Sequence, residues 1–160
     1  MNTKHLLIAT AALALTGCGG IGMGPRATGV TQRCSGTCDV VVPVALAADG
    51  CKIGPLSADI IRVGPQAQGT MIKWQIPKES DSQFKFRQGD AIAFDKPSGA
   101  PPSTIMQNGN GAGQAVTVHD KHTGAATYGS WDYTIYVTGN GSVACKFDPT
   151  VINDDGTSTY

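Results

Sequence analysis

The sequence predicts an all-β fold, an antiparallel β-sandwich, and three features of the chain carry this prediction. Several short segments alternate apolar and polar residues with the two-residue period of a half-buried strand. Turn-forming clusters of glycine, proline, asparagine and aspartate separate these segments. After residue 18, no window shows the period of an amphipathic helix. Short strands joined by turns are typical of a sandwich or a small barrel.

The chain opens with a short apolar leader. Residues 6–15 are apolar apart from Thr10, follow Lys4 and are too few to cross a bilayer as a permanent helix. The leader ends in an aliphatic residue, two small residues and a cysteine, which are Leu15, Thr16, Gly17 and Cys18. This arrangement resembles the lipobox of bacterial lipoproteins.

The resemblance implies that residues 1–17 are a signal peptide and that the mature chain begins at Cys18, whose thiol carries a diacylglycerol. A further acyl chain on the freed amine holds such a protein firmly on a lipid bilayer, because each buried methylene contributes about 0.8 kcal/mol. In this family an aspartate after the cysteine commonly retains the protein in the inner membrane. Gly19 stands there in this chain, so the resemblance implies an anchor in the outer membrane.

Length and composition predict one folded domain behind a tether. Removing residues 1–17 from the 160-residue chain leaves enough residues for one ordinary core. Residues 18–33 are rich in glycine and are predicted to form a flexible, lipidated tether, and residues 34–160 are predicted to form the β-sandwich domain. The 12 basic and 12 acidic residues are scattered singly. This distribution excludes the basic patch that a nucleic-acid partner requires.

Alternation defines most of the predicted strands. In residues 70–76 it places Trp74 inward, and in residues 131–137 it places Tyr133 inward and Tyr136 outward. The other alternating or short apolar segments are residues 60–63, 84–86, 91–94, 116–119 and 143–147.

One further segment, residues 40–46, is apolar on both of its faces. This pattern predicts a strand that is covered on both sides. Pro43 removes one hydrogen-bond donor from the ladder and indicates an edge strand or a bulge.

Four cysteines remain in the domain, namely Cys34, Cys38, Cys51 and Cys145. An even number in an exported chain predicts two disulfides, and the spacing lacks the paired C-x-x-C knuckles of structural zinc. Cys51 and Cys145 each stand two residues before an apolar residue with a lysine between, so both are expected to face one core and to pair. Cys34 and Cys38 would then close a short ring. Other connectivities stay open.

An inward cysteine, a core tryptophan and a late second cysteine, here Cys51, Trp74 and Cys145, resemble the pattern of immunoglobulin-like sandwiches. The strand pattern also resembles cupredoxin-like sandwiches. The chain departs from both, because no tyrosine lies two residues before Cys145 and no histidine follows it, which argues against blue copper. Residues 133–137 and 145–153 resemble small exported proteobacterial β-proteins of unassigned activity.

The densest group of potential metal ligands is His119, Asp120 and His122. Histidines three residues apart on a strand point in opposing directions, so the expectation is a solvated turn rather than a metal site. No metal and no cofactor is predicted. The chain contains no G-x-S-x-G elbow, and its sole glutamate, Glu79, has no identifiable carboxylate partner, so no catalytic residue is predicted.

The longest insertion, residues 97–113, is compatible with a binding surface and equally with simple flexibility. Tyr128 and Tyr136 are candidates for a stacking surface beside it. The function predicted from the sequence is therefore a non-enzymatic binding or accessory module of the cell envelope, with an envelope protein or a glycan as ligand. The alternative is an envelope enzyme or a metal-handling protein that uses His119 and His122.

Overall fold

The computed structural model describes residues 29–48, 50–80, 83–94, 99–110, 113–139 and 144–157. Within these ranges the chain forms thirteen strands and one 3-10 helix, Ala125–Thr127, so the prediction of an all-β protein is confirmed. The strands are β1 Thr31–Cys34, β2 Thr37–Val41, β3 Val44–Ala47, β4 Gly50–Ile53, β5 Ile60–Val63, β6 Thr70–Gln75, β7 Lys85–Phe86, β8 Ile92–Ala93, β9 Ala115–Asp120, β10 Gly129–Asp132, β11 Thr134–Thr138, β12 Ala144–Phe147 and β13 Thr150–Asn153.

These strands form several small sheets. One has the order β1-β5-β13-β10, a second has the order β12-β11-β7 with β8 also paired to β11, and a third has the order β2-β6-β9. Strands β3 and β4 form a hairpin. The expectation of a purely antiparallel arrangement is wrong, because β1 and β13 both run parallel to β5, and β2 runs parallel to β6. Alternation reports which face of a strand is buried and carries no information about its direction.

One hydrophobic core joins the sheets. Trp74 and Tyr133 are fully buried, and the Trp74 Nε1–H donates a hydrogen bond of 3.1 Å to the Tyr133 hydroxyl oxygen. Their ring centroids lie 5.4 Å apart in an edge-to-face arrangement, a favoured geometry for aromatic pairs. Phe94 also packs against Tyr133, again with 5.4 Å between ring centroids. The inward orientation predicted for Trp74 and Tyr133 is confirmed.

The segment 40–46 does not form a single strand. It divides at Val42 and Pro43 into β2 and β3, which belong to different sheets. The expectation of cover on both sides is wrong in both strands, since Val41 in β2 and Leu46 in β3 keep 40% and 66% of their surfaces exposed. The missing donor and fixed φ of Pro43 explain why pairing stops there.

The segment 131–137 also divides, in this case at Tyr133. Strand β10 pairs with β13, whereas β11 pairs with β12, β7 and β8. The predicted alternation nevertheless continues across the break, because the four inward positions are all buried, namely Trp131, Tyr133, Ile135 and Val137. Thr134, which is expected on the opposite face, is buried as well.

Two disulfides are present, in agreement with the expectation from the cysteine count. They join Cys34 to Cys38 and Cys51 to Cys145. The second connects hairpin strand β4 to β12 across 94 positions of sequence.

The folded part begins earlier than the predicted boundary at Cys34, because β1 starts at Thr31 and pairs in register with β5. The lipobox, Cys18 and most of the predicted tether lie outside the described residues. Among the described residues, no helix has the length and apolar character needed to span a membrane.

Candidate functional site

The described part of the long insertion, residues 99–110, is packed against the sheets. Ile105 and Met106 are buried. The backbone of Gly109 exchanges two hydrogen bonds with Ile92, at 3.2 and 3.0 Å. A Cβ atom at Gly109 would lie 2.8 Å from a Val118 methyl group, so the backbone approaches β9 closely. This part of the insertion is therefore ordered by packing and is not a freely flexible loop.

Residues 103–110 and the end of β9 enclose a cleft of about 340 Å³, which we call the β9 cleft. This volume falls at the lower end of the range for small-ligand sites. The two walls are tied together, because the Lys121 N–H donates a 2.9 Å hydrogen bond to the Ile105 carbonyl oxygen. The loop wall presents one hydroxyl and three amide side chains, from Ser103, Gln107, Asn108 and Asn110.

The strand wall of the β9 cleft includes three exposed side chains, those of Thr117, His119 and Lys121. Alternation along β9 turns Thr117 and His119 outward. The His119 Nε2 lies 2.8 Å from the Gln68 carbonyl oxygen, and because a carbonyl only accepts, Nε2–H is the donor. Gln68 and Gly69 belong to the turn that precedes β6. A Cβ atom at Gly69 would lie only 2.7 Å from His119 Nε2, so the imidazole packs directly against this turn. The turn therefore fixes the orientation of the His119 ring.

His122, by contrast, is fully buried. Its Nδ1 lies 2.6 Å from the Thr127 hydroxyl oxygen, and its Nε2–H donates to the Asp154 carbonyl oxygen at 2.8 Å. The expectation of a solvated turn is wrong for this residue, because the chain turns inward after β9. The two histidines diverge: His119 lines the cleft, while His122 ties this turn to the residue that follows β13.

Asp120, between the two histidines, is buried on the inner face of β9. Burial raises the pKa of its carboxyl group, and the hydrogen bond from Asn153 and the nearby His122 oppose this rise. The Asn153 Nδ2–H donates to Asp120 Oδ1 at 3.1 Å. Asp120 therefore joins β9 to β13 inside the core and does not line the cleft.

The two candidate tyrosines lie outside the lining of the β9 cleft. Tyr128 is 48% exposed, with its ring centroid 5.6 Å from that of His122. Tyr136 is half-buried beneath the Arg87 guanidinium, which lies 3.5 Å from the ring centroid. Arg87 also donates to both carboxylate oxygens of Asp90, which raises the Arg87 pKa. The structure thus does not bring either tyrosine together with the loop in this cleft.

The sequence located two parts of this site, the insertion and His119, but gave no sign that they meet. From the sequence alone the insertion is equally compatible with simple flexibility, so nothing in it singles out Gln107, Asn108 or Asn110 as binding residues. The outward alternation of Thr117 and His119 was the one available signal for the strand wall. Among the described residues, no group of three or more His, Cys, Asp or Glu side chains is arranged to hold a metal ion.

Comparison of the chain with protein-family models, with curated proteins and with solved structures finds no match.

Proposed function

We propose that this chain is a non-enzymatic binding module of the bacterial cell envelope, and that its ligand is a glycan bound in the β9 cleft. Acylated Cys18 anchors the module to the outer membrane, and the residues between Cys18 and β1 form its tether. The observation that carries the proposal is the β9 cleft itself, a concave polar surface with two walls that are joined by a backbone hydrogen bond.

The chemistry of the cleft suits a sugar. Sugar hydroxyl groups both donate and accept hydrogen bonds, and amide side chains offer both functions in one group. Gln107, Asn108 and Asn110 provide such amides from the loop, and Ser103 and Thr117 add hydroxyl groups. Asn108 is oriented by its Oδ1, which accepts a 2.9 Å hydrogen bond from the Phe94 N–H. An oriented polar group binds at a lower cost in conformational entropy than a mobile one.

A protein ligand is the less favoured occupant of this cleft. Protein interfaces have apolar or aromatic centres that are desolvated on binding. The large hydrophobic side chains that remain exposed in the described part of the chain all lie outside the cleft, and they are Val30, Val41, Leu46, Met71 and Tyr128. Ile105, Met106 and Val118 also line the cleft, but they are already buried, so the accessible side chains of the cleft are mainly polar.

The alternative of an enzyme or a metal-handling protein requires that the imidazoles of His119 and His122 reach the same substrate or metal ion. His122 is buried with both ring nitrogens at hydrogen-bond distance from oxygen atoms, and His119 points to the opposite side of β9. No observation favours a joint role for the pair.

For the fold, we propose a sandwich related in layout to the immunoglobulin-like class. The Cys51–Cys145 disulfide, which joins strands of two different sheets, and the buried Trp74 support this proposal. The parallel pairings of β1, β2 and β13 distinguish the chain from a purely antiparallel sandwich.

Calorimetric titration of the mature chain in detergent micelles tests the proposed function. The probes are chitohexaose, cellohexaose and hexagalacturonate, which cover N-acetylated, neutral and acidic sugars. We expect at least one of them to bind wild type. Gln107→Ala combined with Asn110→Ala should weaken that binding about thirtyfold, from the loss of two hydrogen bonds of about 1 kcal/mol each.

Gln75→Ala is the matched control, because this amide donates to Asp39 on the outer face of β6 and β2, outside the cleft. Its affinity should equal that of wild type. Absence of binding to all three glycans, or equal affinity in the double variant, would contradict the proposal.

A further inference from the structure

Three buried side-chain oxygens in one region of the core have no hydrogen-bond partner among the described residues. They are Thr70 Oγ1, Asp120 Oδ2 and Asn153 Oδ1. All three side chains are almost completely inaccessible, with relative exposures of 0%, 0% and 2%. Buried polar atoms in native proteins nearly always have a partner, so three without one need an explanation.

The topology brings these oxygens together from three strands. Thr70 and Asp120 are directly opposite in the antiparallel ladder of β6 and β9, and both belong to its inner face. Side chains that face each other in this way have Cβ atoms about 5 Å apart. Asn153, on β13, is joined to Asp120 by the 3.1 Å hydrogen bond to Oδ1. The three orphaned oxygens therefore belong to one contiguous polar group within the core.

The donor set is selective for a cation. A carboxylate, an amide carbonyl and a hydroxyl oxygen all have lone pairs to share, and hard cations prefer such oxygen ligands. An anion would face a carboxylate and an amide oxygen and would be repelled. The carboxylate of Asp120 also benefits, because a buried charge is costly unless an opposite charge lies beside it.

We propose that Thr70, Asp120 and Asn153 bind one sodium ion between the β2-β6-β9 sheet and the β1-β5-β13-β10 sheet. A monovalent ion balances the single carboxylate, whereas a divalent ion would leave an uncompensated buried positive charge.

The two histidines and the aspartate that flank Asp120 and Asn153 in the chain have partners elsewhere. His119 is on the outer face of β9, with its Nε2–H bonded to Gln68. His122 has its nitrogens directed to Thr127 and Asp154. Arg62 forms an ion pair with Asp154 beyond β13. The ion would hold the end of β9, and with it one wall of the cleft, against β13.

Thermal unfolding of the full mature chain in detergent tests this site independently of glycan binding. The melting temperature is measured by circular dichroism at pH 7.5, in NaCl and in N-methyl-D-glucamine chloride of equal ionic strength. We expect sodium to raise the melting temperature in a saturable manner, by about 4 °C at ten times the dissociation constant. Asp120→Asn should abolish the difference between the two salts, and Asp39→Asn, an exposed carboxylate on β2, should retain it.

Equal melting temperatures of wild type in the two salts would overturn the proposal and would assign the orphaned oxygens to an ordered water. A rise caused by 1 mM CaCl₂ but not by sodium would overturn the assignment to a monovalent ion. If Asp120→Asn does not fold, thallium(I) soaked into crystals of wild type decides the question. An anomalous peak among the three side chains supports the site, and a peak elsewhere or none contradicts it.

Discussion

Replacing each histidine of the 119–122 segment with alanine should have sharply different effects on stability. His122 is inaccessible to solvent and contacts Thr127 Oγ1 and the Asp154 carbonyl oxygen through its two ring nitrogens. His119 is exposed, and its single described hydrogen bond goes to the Gln68 carbonyl oxygen. The stability of the fold therefore depends strongly on His122 and only weakly on His119.

The magnitudes follow from these contacts. Truncating a large buried side chain to alanine costs about 2–5 kcal/mol from lost burial and the cavity that remains. For His122→Ala, two hydrogen bonds are also lost and the buried acceptor at Asp154 is left without its donor, which adds about 1–2 kcal/mol. We expect a total near 4 kcal/mol. For His119→Ala, one solvent-accessible hydrogen bond is lost, which costs about 1 kcal/mol or less.

Urea unfolding of both variants and of wild type at pH 7.5, followed by tryptophan fluorescence, measures the difference. The m-value should stay constant, since neither variant changes the surface that unfolding exposes by a large amount. Equal destabilisation of the two variants would refute the separate roles assigned to the histidines. It would also reopen the hypothesis that they act together at one site.

Three further predictions concern the core. Cys51→Ser combined with Cys145→Ser should lower the free energy of unfolding by about 4–5 kcal/mol, according to the chain-entropy model for a disulfide that spans 94 positions. Removal of the Cys34–Cys38 disulfide, which spans 4 positions, should lower it by about 2 kcal/mol. Equal losses of stability in urea unfolding would contradict this order. Asp120 has a pKa above its ordinary 3.8 in the folded state, so in sodium-free buffer its contribution to stability is greatest at acid pH and is lost as the pH rises through the folded pKa. Asp120→Asn should flatten this part of the pH profile of unfolding, and an unchanged slope would refute the assignment. Tyr133→Phe removes the acceptor of the Trp74 indole and should cost about 1–3 kcal/mol with altered tryptophan emission; a melting temperature equal to wild type would contradict the role of that hydrogen bond.

The sequence was informative wherever burial follows a simple period. Trp74 and Tyr133 alternate with polar neighbours, so their inward direction could be predicted, and so could the β-rich character of the domain. Two disulfides could also be predicted, because an even number of cysteines in an exported chain indicates pairing whatever the geometry of the fold.

The remaining features depend on contacts between distant segments. The break at Tyr133 arises because the chain changes sheet there, and nothing local marks a change of sheet. The parallel partners of β5 are separated from it by long stretches of sequence, and periodicity does not encode partner choice.

The interior position of His122 had no local signal either. It depends on Thr127 and Asp154, and the second of these lies 32 positions away in the sequence. The β9 cleft likewise requires residues 103–110 to return onto β9, which is set by the Gly109–Ile92 bridge. The sequence predicted the insertion and the outward-facing residues of β9 separately, but it did not predict that they lie against each other.

The measurement that tests the central proposal most directly is a titration of the ¹⁵N-labelled mature chain with chitohexaose, cellohexaose or hexagalacturonate, monitored by amide chemical shifts. The account predicts saturable shifts for one of these glycans at residues 103–110 and 117–121, with little change at β3 and β12, which contribute no residue to the cleft. Shifts confined to other surfaces, or none with any of the three glycans, would contradict the assignment of the β9 cleft as a glycan-binding site.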